Sequence, residues 1–307
     1  MIEPSRAEIA PAITDGSAMR RTMMWAGLFA VVWALLEIAV GNFLHRPYAI
    51  MQIVWCRYAA HLATVALVWG VRRPTLWRTS RPVTQVTRSL MMLAMPGAFA
   101  LAIRYGISTE FIQALFWLAP LEVVLVAWIF LGERAPLAAW GAAAIGAAGS
   151  AAIFGHLYVA SPLALGLALA GSLSFSLYVV MTRSLRTEPA STNLLYTGLA
   201  VFLILTPFIP HIWVWPSKTD IGVFGLVGVV GVGALYALER ACEAGPAWIT
   251  TIPLFLQAAC LGAFDITEGI EPARRAGMGV AVLAVVIGGF WLFAGRLKPG
   301  AVQATSK

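Results

Sequence analysis

The stretch that decides the fold runs from Ser108 to Ile153 and reads STEFIQALFWLAPLEVVLVAWIFLGERAPLAAWGAAAIGAAGSAAI. A second stretch, from Ala241 to Gly289, is similar to it and reads ACEAGPAWITTIPLFLQAACLGAFDITEGIEPARRAGMGVAVLAVVIGG. Pro-Leu pairs begin at Pro120 and Pro253, 133 positions apart. In each copy an apolar run follows the pair, then a Glu at a predicted helix end, then a helix rich in Gly and Ala. The chain therefore contains an internal repeat.

The composition predicts a membrane protein. Of the 307 residues, 60% are hydrophobic and only 11% are charged, and the mean hydropathy is +0.82. Soluble proteins carry about 25% charged residues, so most soluble classes and disorder are excluded. The three cysteines (Cys56, Cys242 and Cys260) have no short spacing, which excludes a disulfide framework and a four-ligand zinc site. We expect no cofactor and no metal.

Apolar runs set the number of membrane spans, because a helix needs about 20 residues to cross the hydrocarbon core. The predicted spans are 23–42, 48–70, 87–104, 110–131, 137–155, 162–182, 192–212, 219–238, 246–265 and 273–294. Five spans per copy is an odd number, so the second copy must enter the membrane in the opposite sense. We expect an all-α integral membrane protein with ten transmembrane helices as two inverted five-helix repeats, residues 23–155 and 162–294. Cytoplasmic tails are expected at 1–22 and 295–307.

The basic residues predict the orientation in the bilayer. With a cytoplasmic N-terminus, 15 Lys and Arg residues fall on the inner side, 5 fall on the outer side, and Arg57 lies within a span. Both termini are then cytoplasmic. The net charge of +7 does not indicate a nucleic-acid partner, because the basic residues lie in short gaps between apolar runs. A cleaved signal peptide competes for residues 1–45, but the long run containing Glu37 favours a retained helix.

Several features at fixed positions carry a family resemblance. They are Trp33 in the first helix, Arg57 in the second, the block from Ala119 to Arg134 (Ala-Pro-Leu to Leu-Gly-Glu-Arg) and the Gly-rich fifth helix at 137–155. With them the chain resembles the drug/metabolite transporter superfamily, in its ten-helix EamA-type members, over residues 23–294. The resemblance implies two repeated domains, metabolite transport and a bacterial-type inner membrane. It is uninformative about the substrate.

The chain also departs from that family pattern. Thr267-Glu268-Gly269 stands in the second copy in place of Gly-Glu. Glu122 stands where such proteins usually carry an apolar residue, and Ala34 to Glu37 stand where small or polar residues are common. The fold and transport activity are therefore carried over as expectations, and the better-known substrates of the family are not.

Charges within the predicted spans are candidate functional groups, because a charge near the bilayer centre costs at least ~2.5–3.5 kcal/mol on insertion scales. Helix rise places Glu37, Arg57 and Glu122 at comparable depths, with His61 one turn from Arg57. Two interpretations stay open. Either Arg57 neutralises Glu37 or Glu122 in a structural ion pair, or these groups line a central cavity. In the cavity, Arg57 holds a substrate carboxylate, while Glu37 or Glu122 holds an amine or a coupling proton.

Aromatic and amide side chains extend this candidate site. Trp33 and Trp117 either form the apolar wall of a cavity or pack against neighbouring helices. Gln257 is the polar counterpart in the second copy, and Tyr178 is a weaker candidate. The candidate substrate-binding residues are Glu37, Arg57, His61, Trp117, Glu122, Gln257, Trp33 and Tyr178. Prolines within spans remove a backbone donor, so hinges or static kinks are expected at Pro96, Pro120 and Pro253.

Two loops form a candidate gate, and small residues predict close packing. Arg104 and Glu110 bracket the predicted outer turn between helices three and four, and inverted symmetry relates it to the inner turn between helices eight and nine. The inner turn carries Glu239, Arg240 and Glu243. Ion pairs that form alternately at the two turns would make a two-state latch. Glycines in the eighth helix, such as Gly225 and Gly228, predict close helix packing.

The predicted function is secondary active transport of a small organic metabolite by alternating access, with protons as a candidate coupling ion. Export of an amino acid or a similar zwitterion comes first, because both charge signs lie at one depth beside aromatics. Uptake of a larger planar metabolite, such as a vitamin or nucleoside-like compound, is the alternative within transport. A membrane enzyme or a static channel or scaffold is the alternative outside it, although no catalytic motif or phosphate loop is present. The direction of transport and the oligomeric state stay open.

Overall fold

The computed structural model describes residues 16–44, 47–153 and 161–265, with isolated helical residues 277, 279–280, 282–284 and 288. These residues form helices and no strand. The helices are α1 (Gly16–Phe43), α2 (Ile50–Val65, continued by a π-helical turn at Ala66–Gly70), α3 (Pro82–Arg104), α4 (Thr109–Phe116), α5 (Ala119–Leu131), α6 (Leu137–Ile153), α7 (Pro162–Ser184), α8 (Ala190–Leu205), α9 (Ile209–Ile212), α10 (Lys218–Ala244) and α11 (Ala247–Asp265).

In the described part of the chain, seven helical segments are long and apolar enough to cross a membrane. They are Gly16–Phe43, Ile50–Gly70, Pro82–Arg104, Thr109–Leu131, Pro162–Ser184, Lys218–Ala244 and Ala247–Phe264. Two shorter apolar helices occupy Leu137–Gly149 and Ala190–Leu205. The prediction of an all-α membrane protein is thus confirmed. Most of the tenth predicted span, the tail at 295–307 and the segment Thr267-Glu268-Gly269 lie outside the described residues.

Helix ends differ from the predicted boundaries where polar residues are helical. The helix α1 begins at Gly16, seven residues before the predicted span at 23–42. The helix α3 begins at Pro82, five residues before the predicted span, with proline in its first turn where no donor is lost. The predicted span at 110–131 is divided between α4 and α5, because the helix is interrupted at residues 117–118, just before Pro120.

Side-chain caps explain three of the helix starts. Ser108 Oγ accepts from the backbone N–H of Phe111 and starts α4, and Ser161 does the same for α7 through Ala164. Ser217 forms a capping box with Asp220 at the start of α10. Each cap satisfies a donor that the first helical turn leaves without a partner.

Contacts between helices that are distant in the chain hold the bundle together. The helix α1 packs on α10 and α11, and α3 packs on α7 and α8. The helix α2 contacts α8 and α10, while α5 contacts α7 and α11. A continuous core of buried side chains follows these contacts, with Tyr58, Phe175 and Leu235 among its members.

Close approach of α10 to α2 depends on one glycine. A Cβ atom added at Gly228 would lie 2.3 Å from the Ala60 Cβ and 2.8 Å from the carbonyl oxygen of Arg57. A Cβ added at Gly225 or Gly222 would meet nothing within 4 Å. The prediction that glycines of this helix allow close packing therefore holds at Gly228 and is wrong at Gly222 and Gly225.

Gly228→Ala is expected to lower the free energy of unfolding by ~1–3 kcal/mol, because the clash involves the α2 backbone and α10 must move away. Gly225→Ala is the matched control on the same helix. There the substitution should leave stability unchanged or raise it by ~0.5–1 kcal/mol through the better helix propensity of Ala. Thermal unfolding of the purified protein in detergent measures both. Equal stability of the two variants would contradict the packing argument.

Candidate functional site

A cavity of about 520 Å³ lies among α1, α2, α3, α4 and α11. Its wall reaches the last turns of α1 and α3 at Asn42 and Ile103, and the first residues of α2 and α4 at Ile50 and Thr109. It also reaches the end of α11 at Phe264. All these helix ends lie on the same side of the bundle, which we call the cavity side. The other side, where α1 and α3 begin, is called the opposite side.

Charged and polar groups of the cavity gather around Trp33. The Trp33 Nε1–H donates to the Glu37 carboxylate at 3.0 Å, and the Gln257 side-chain amide also hydrogen-bonds to that carboxylate. The Arg57 guanidinium carbon lies 4.8 Å from the centroid of the Trp33 ring and 4.9 Å from that of Tyr58. A cation and a carboxylate are thus held beside the same indole, within a mostly apolar wall.

Arg57 has no carboxylate within 4 Å among the described residues, and its guanidinium hydrogen-bonds to the Tyr58 hydroxyl at 3.1 Å. The described residues therefore contain no direct ion pair of Arg57 with Glu37 or Glu122, although Arg57 still interacts electrostatically with Glu37. The Glu122 carboxylate instead accepts hydrogen bonds from Ser172 at 2.9 Å and Ser176 at 2.8 Å, both on α7. Helix rise predicts how deep a residue lies in the membrane, but it does not predict which neighbouring helix its side chain faces. The Glu122 side chain faces α7.

Two further candidates lie away from the cavity. His61 is buried, and its Nε2–H donates to the carbonyl oxygen of Leu194 in α8 at 3.0 Å. Tyr178 is fully buried with its ring 5.1 Å from the Arg88 guanidinium carbon. The candidates that the structure does bring together in the cavity wall are Trp33, Glu37, Arg57, Trp117 and Gln257.

The sequence analysis did not predict that one wall of the cavity is aromatic. The ring of Phe116 lies 5.2 Å from that of Phe175 and 6.1 Å from that of Phe99. Trp117 continues the group at 5.6 Å from Phe116. A phenylalanine in an apolar span has no sequence signal that separates a cavity wall from a lipid contact. Pro120, shortly after Phe116 and Trp117, was the nearest signal in the sequence.

The three prolines behave differently. Pro120 follows an interruption between α4 and α5, and Pro96 lines the cavity within an uninterrupted α3. Pro253 lies inside α11, where the hydroxyls of Thr250 and Thr251 donate to carbonyl oxygens one turn earlier. Only Pro120 coincides with a break, so a hinge stays a prediction for all three.

A buried polar network joins four helices on the opposite side. Arg88 of α3 and Glu239 of α10 form an ion pair with exposed fractions of 0% and 1%. The Arg88 guanidinium also donates to Thr182 of α7 at 3.1 Å and to Thr197 of α8 at 2.8 Å. The side-chain amide of Asn193 in α8 donates to Glu239 at 2.7 Å, and the backbone carbonyl oxygen of Asn193 accepts from Arg88. We call these five residues the Arg88 network.

The Leu-Gly-Glu motif adds a second connection on the opposite side. Gly132 ends α5 with a φ of +66°, a left-handed conformation that favours glycine. The Glu133 carboxylate that follows accepts from Arg183 Nε at 3.0 Å and from the Ala247 N–H at 2.7 Å. Arg183 also donates to the carbonyl oxygen of Cys242 at 2.7 Å. These bonds join the ends of α5, α7 and α10 to the start of α11.

The two predicted gate turns differ from each other. On the cavity side, Arg104 and Glu110 are exposed and form no ion pair with any described residue. On the opposite side, Arg240 pairs with Glu243 at the surface. Glu239 pairs with Arg88 rather than Arg240, which corrects the predicted set. The predicted third span begins at 87, which places Arg88 at its inner end among the cytoplasmic basic residues, whereas α3 begins at Pro82 and Arg88 is fully buried.

Comparisons with known proteins support the fold. No protein-family model and no curated protein matches the chain. A solved structure described only as "Crystal structure of protein" has a TM-score of 0.75 with 18% identical residues. The match covers 89% of this chain and 97% of the other. At this identity the likeness shows the fold alone.

Proposed function

We propose that this chain is a secondary transporter that moves a small organic metabolite across a bacterial-type inner membrane by alternating access. The observation that carries the proposal is a cavity that reaches one side of the bundle and contains Arg57 and Glu37. The opposite side holds the buried Arg88 network. Alternating access requires a site that is open to one side while contacts close the other.

The helix contacts support two inverted five-helix repeats. Exchange of the two predicted repeats relates α1 to α7, α2 to α8, α3 to α10, and α4 with α5 to α11. The contact of α1 with α10 then becomes the contact of α7 with α3, and both are among the most extensive in the bundle. The contacts of α2 with α10 and of α8 with α3 exchange in the same way. This pattern is expected from a two-fold axis in the membrane plane.

The orientation follows from the distribution of basic residues. With the N-terminus in the cytoplasm, the cavity opens to the outside and the Arg88 network lies toward the cytoplasm. On the cavity side, Arg104 and Glu110 pair with no described residue, whereas Arg240 pairs with Glu243 on the opposite side. This difference fits one position of the proposed latch. The described conformation then corresponds to an outward-open state.

A zwitterion is the substrate class that the cavity favours. Arg57 has no carboxylate in direct contact among the described residues, so its guanidinium N–H groups can bind a substrate carboxylate. Glu37 lies beside the same Trp33 and is the acceptor for a substrate amine or for a coupling proton. Export of an amino acid is our first assignment. The aromatic group of Phe99, Phe116 and Phe175 favours a planar metabolite as the second candidate.

Counterflow in proteoliposomes tests the proposal. Vesicles with the purified chain are preloaded with an unlabelled amino acid or nucleoside, and initial uptake of the labelled compound is measured. A transporter gives saturable uptake that preloading accelerates. A channel gives uptake that rises linearly with the concentration of the labelled compound and is unaffected by preloading. Absence of saturable uptake for every zwitterion and planar compound tried would contradict the proposed function.

A further inference from the structure

A second, smaller pocket lies on the opposite side of the bundle, away from the cavity. Its volume is about 270 Å³, and it lies where the loop between α2 and α3 meets the start of α8. The loop contributes Arg73, Thr75 and Arg78 to its wall. The start of α8 contributes Ser191 and Thr192.

The first turn of α8 has no side-chain cap and contains a hydroxyl without a hydrogen-bond partner among the described residues. The N-cap residue, Pro189, provides no side-chain cap to the first helical turn. Ser191, in that turn, is 4% exposed, and its hydroxyl is buried without a hydrogen-bond partner among the described residues. Uncapped helix N-termini attract anions, because backbone N–H groups and the helix dipole both face the ligand.

The charges at the pocket are positive. Arg73 and Arg78 are exposed and pair with no carboxylate in the described part of the chain. The carboxylate of the nearby Glu188 already accepts hydrogen bonds from the backbone N–H and the hydroxyl of Ser80. Burial raises the pKa of Glu188, but the hydrogen bonds from Ser80 and Thr79 and the charge of Arg81 together hold the pKa below its usual value. This carboxylate is therefore ionised but already satisfied.

We propose that this pocket binds a phosphate group. The guanidinium groups of Arg73 and Arg78 pair with its oxygens, the α8 N-terminus faces its charge, and the Ser191 hydroxyl supplies a further donor. The phosphate belongs either to an anionic lipid headgroup or to a soluble phosphate ester. Both sources present anionic phosphate oxygens, on a diester in the lipid headgroup and on a monoester in glycerol 3-phosphate. This site is independent of the proposed transport function.

Binding is measured with the full chain and two probes. The first probe is glycerol 3-phosphate, added to protein in neutral detergent, with thermal stabilisation as the readout. The second is phosphatidylglycerol, compared with phosphatidylcholine by native mass spectrometry of the bound lipid. Phosphatidylglycerol retention without stabilisation by glycerol 3-phosphate assigns the site to a lipid headgroup, whereas stabilisation by glycerol 3-phosphate assigns it to soluble esters. Absence of both overturns the proposal.

Two sets of variants separate a built site from general surface charge. Arg73→Ala with Arg78→Ala should weaken binding of the retained probe by ~10-fold or more. Arg20→Ala with Arg72→Ala is the matched control, because it removes the same charge on the same side from exposed residues outside the pocket. Equal weakening in the two double variants overturns the proposal.

Ser191→Ala provides a readout that does not change the charge. The variant removes a buried hydroxyl that has no partner, so thermal stability without any phosphate probe should be unchanged or higher. Binding of the retained probe should weaken by a few-fold, which a purely electrostatic surface would not show. Wild-type binding by Ser191→Ala overturns the role of the hydroxyl and with it the built site.

Discussion

Arg57→Ala is expected to reduce transport into proteoliposomes by ~100-fold while the purified protein stays folded. The guanidinium lies in the cavity wall between Trp33 and Tyr58 and has no carboxylate within 4 Å among the described residues. Its removal breaks no direct ion pair among the described residues, and Glu37 keeps its hydrogen bonds with Trp33 and Gln257. A substrate carboxylate would lose its only described cationic partner in the cavity wall.

Two further variants make this experiment selective. Arg57→Lys keeps the charge but loses the planar guanidinium over the indole, so partial transport is expected. Arg20→Ala is the matched control, because it removes the same charge from an exposed residue outside the cavity wall. It should leave transport within about threefold of wild type. If Arg57→Ala instead unfolds the protein, or transports at the wild-type rate, the substrate-binding role is wrong.

Local sequence information predicted the helices and part of the cavity. Apolar runs of about 20 residues are a property of consecutive residues, so most spans were placed before any tertiary contact was known. The polar groups inside those runs, Arg57 and Glu37, identified the cavity because charges within a membrane are rare. Gln257 followed from the repeat, one turn past Pro253.

Contacts between residues that are far apart in the chain could not be predicted from local sequence. Glu122 lies at the predicted depth, but the α7 hydroxyls that satisfy it are 50 and 54 positions away in the chain. The helix α3 begins among polar residues such as Gln85, whose side-chain N–H donates to Asn193 of α8 within the bundle. The sequence therefore placed Arg88 at the inner end of a span, although it is fully buried.

Glu239→Ala is expected to lower the free energy of unfolding by ~3–5 kcal/mol, the largest stability effect we foresee. Arg88 is 0% exposed and would keep its charge without a carboxylate, while Asn193 would lose an acceptor. Denaturant unfolding in detergent measures the loss. Glu243→Ala is the matched control on the same helix, because its pair with Arg240 is exposed and worth only ~0–1 kcal/mol. Similar losses in the two variants would contradict the argument from burial.

A double variant separates stability from gating in the Arg88 network. Arg88→Met with Glu239→Leu removes both charges and should recover most of the stability, because well-packed apolar residues often replace buried ion pairs without loss. If the ion pair only fixes the packing of α3 against α10, transport recovers with stability. If it closes the opposite side of the cavity, its replacement changes the balance between the two access states. Counterflow then stays impaired in a protein of normal stability, and this is the result we expect from alternating access.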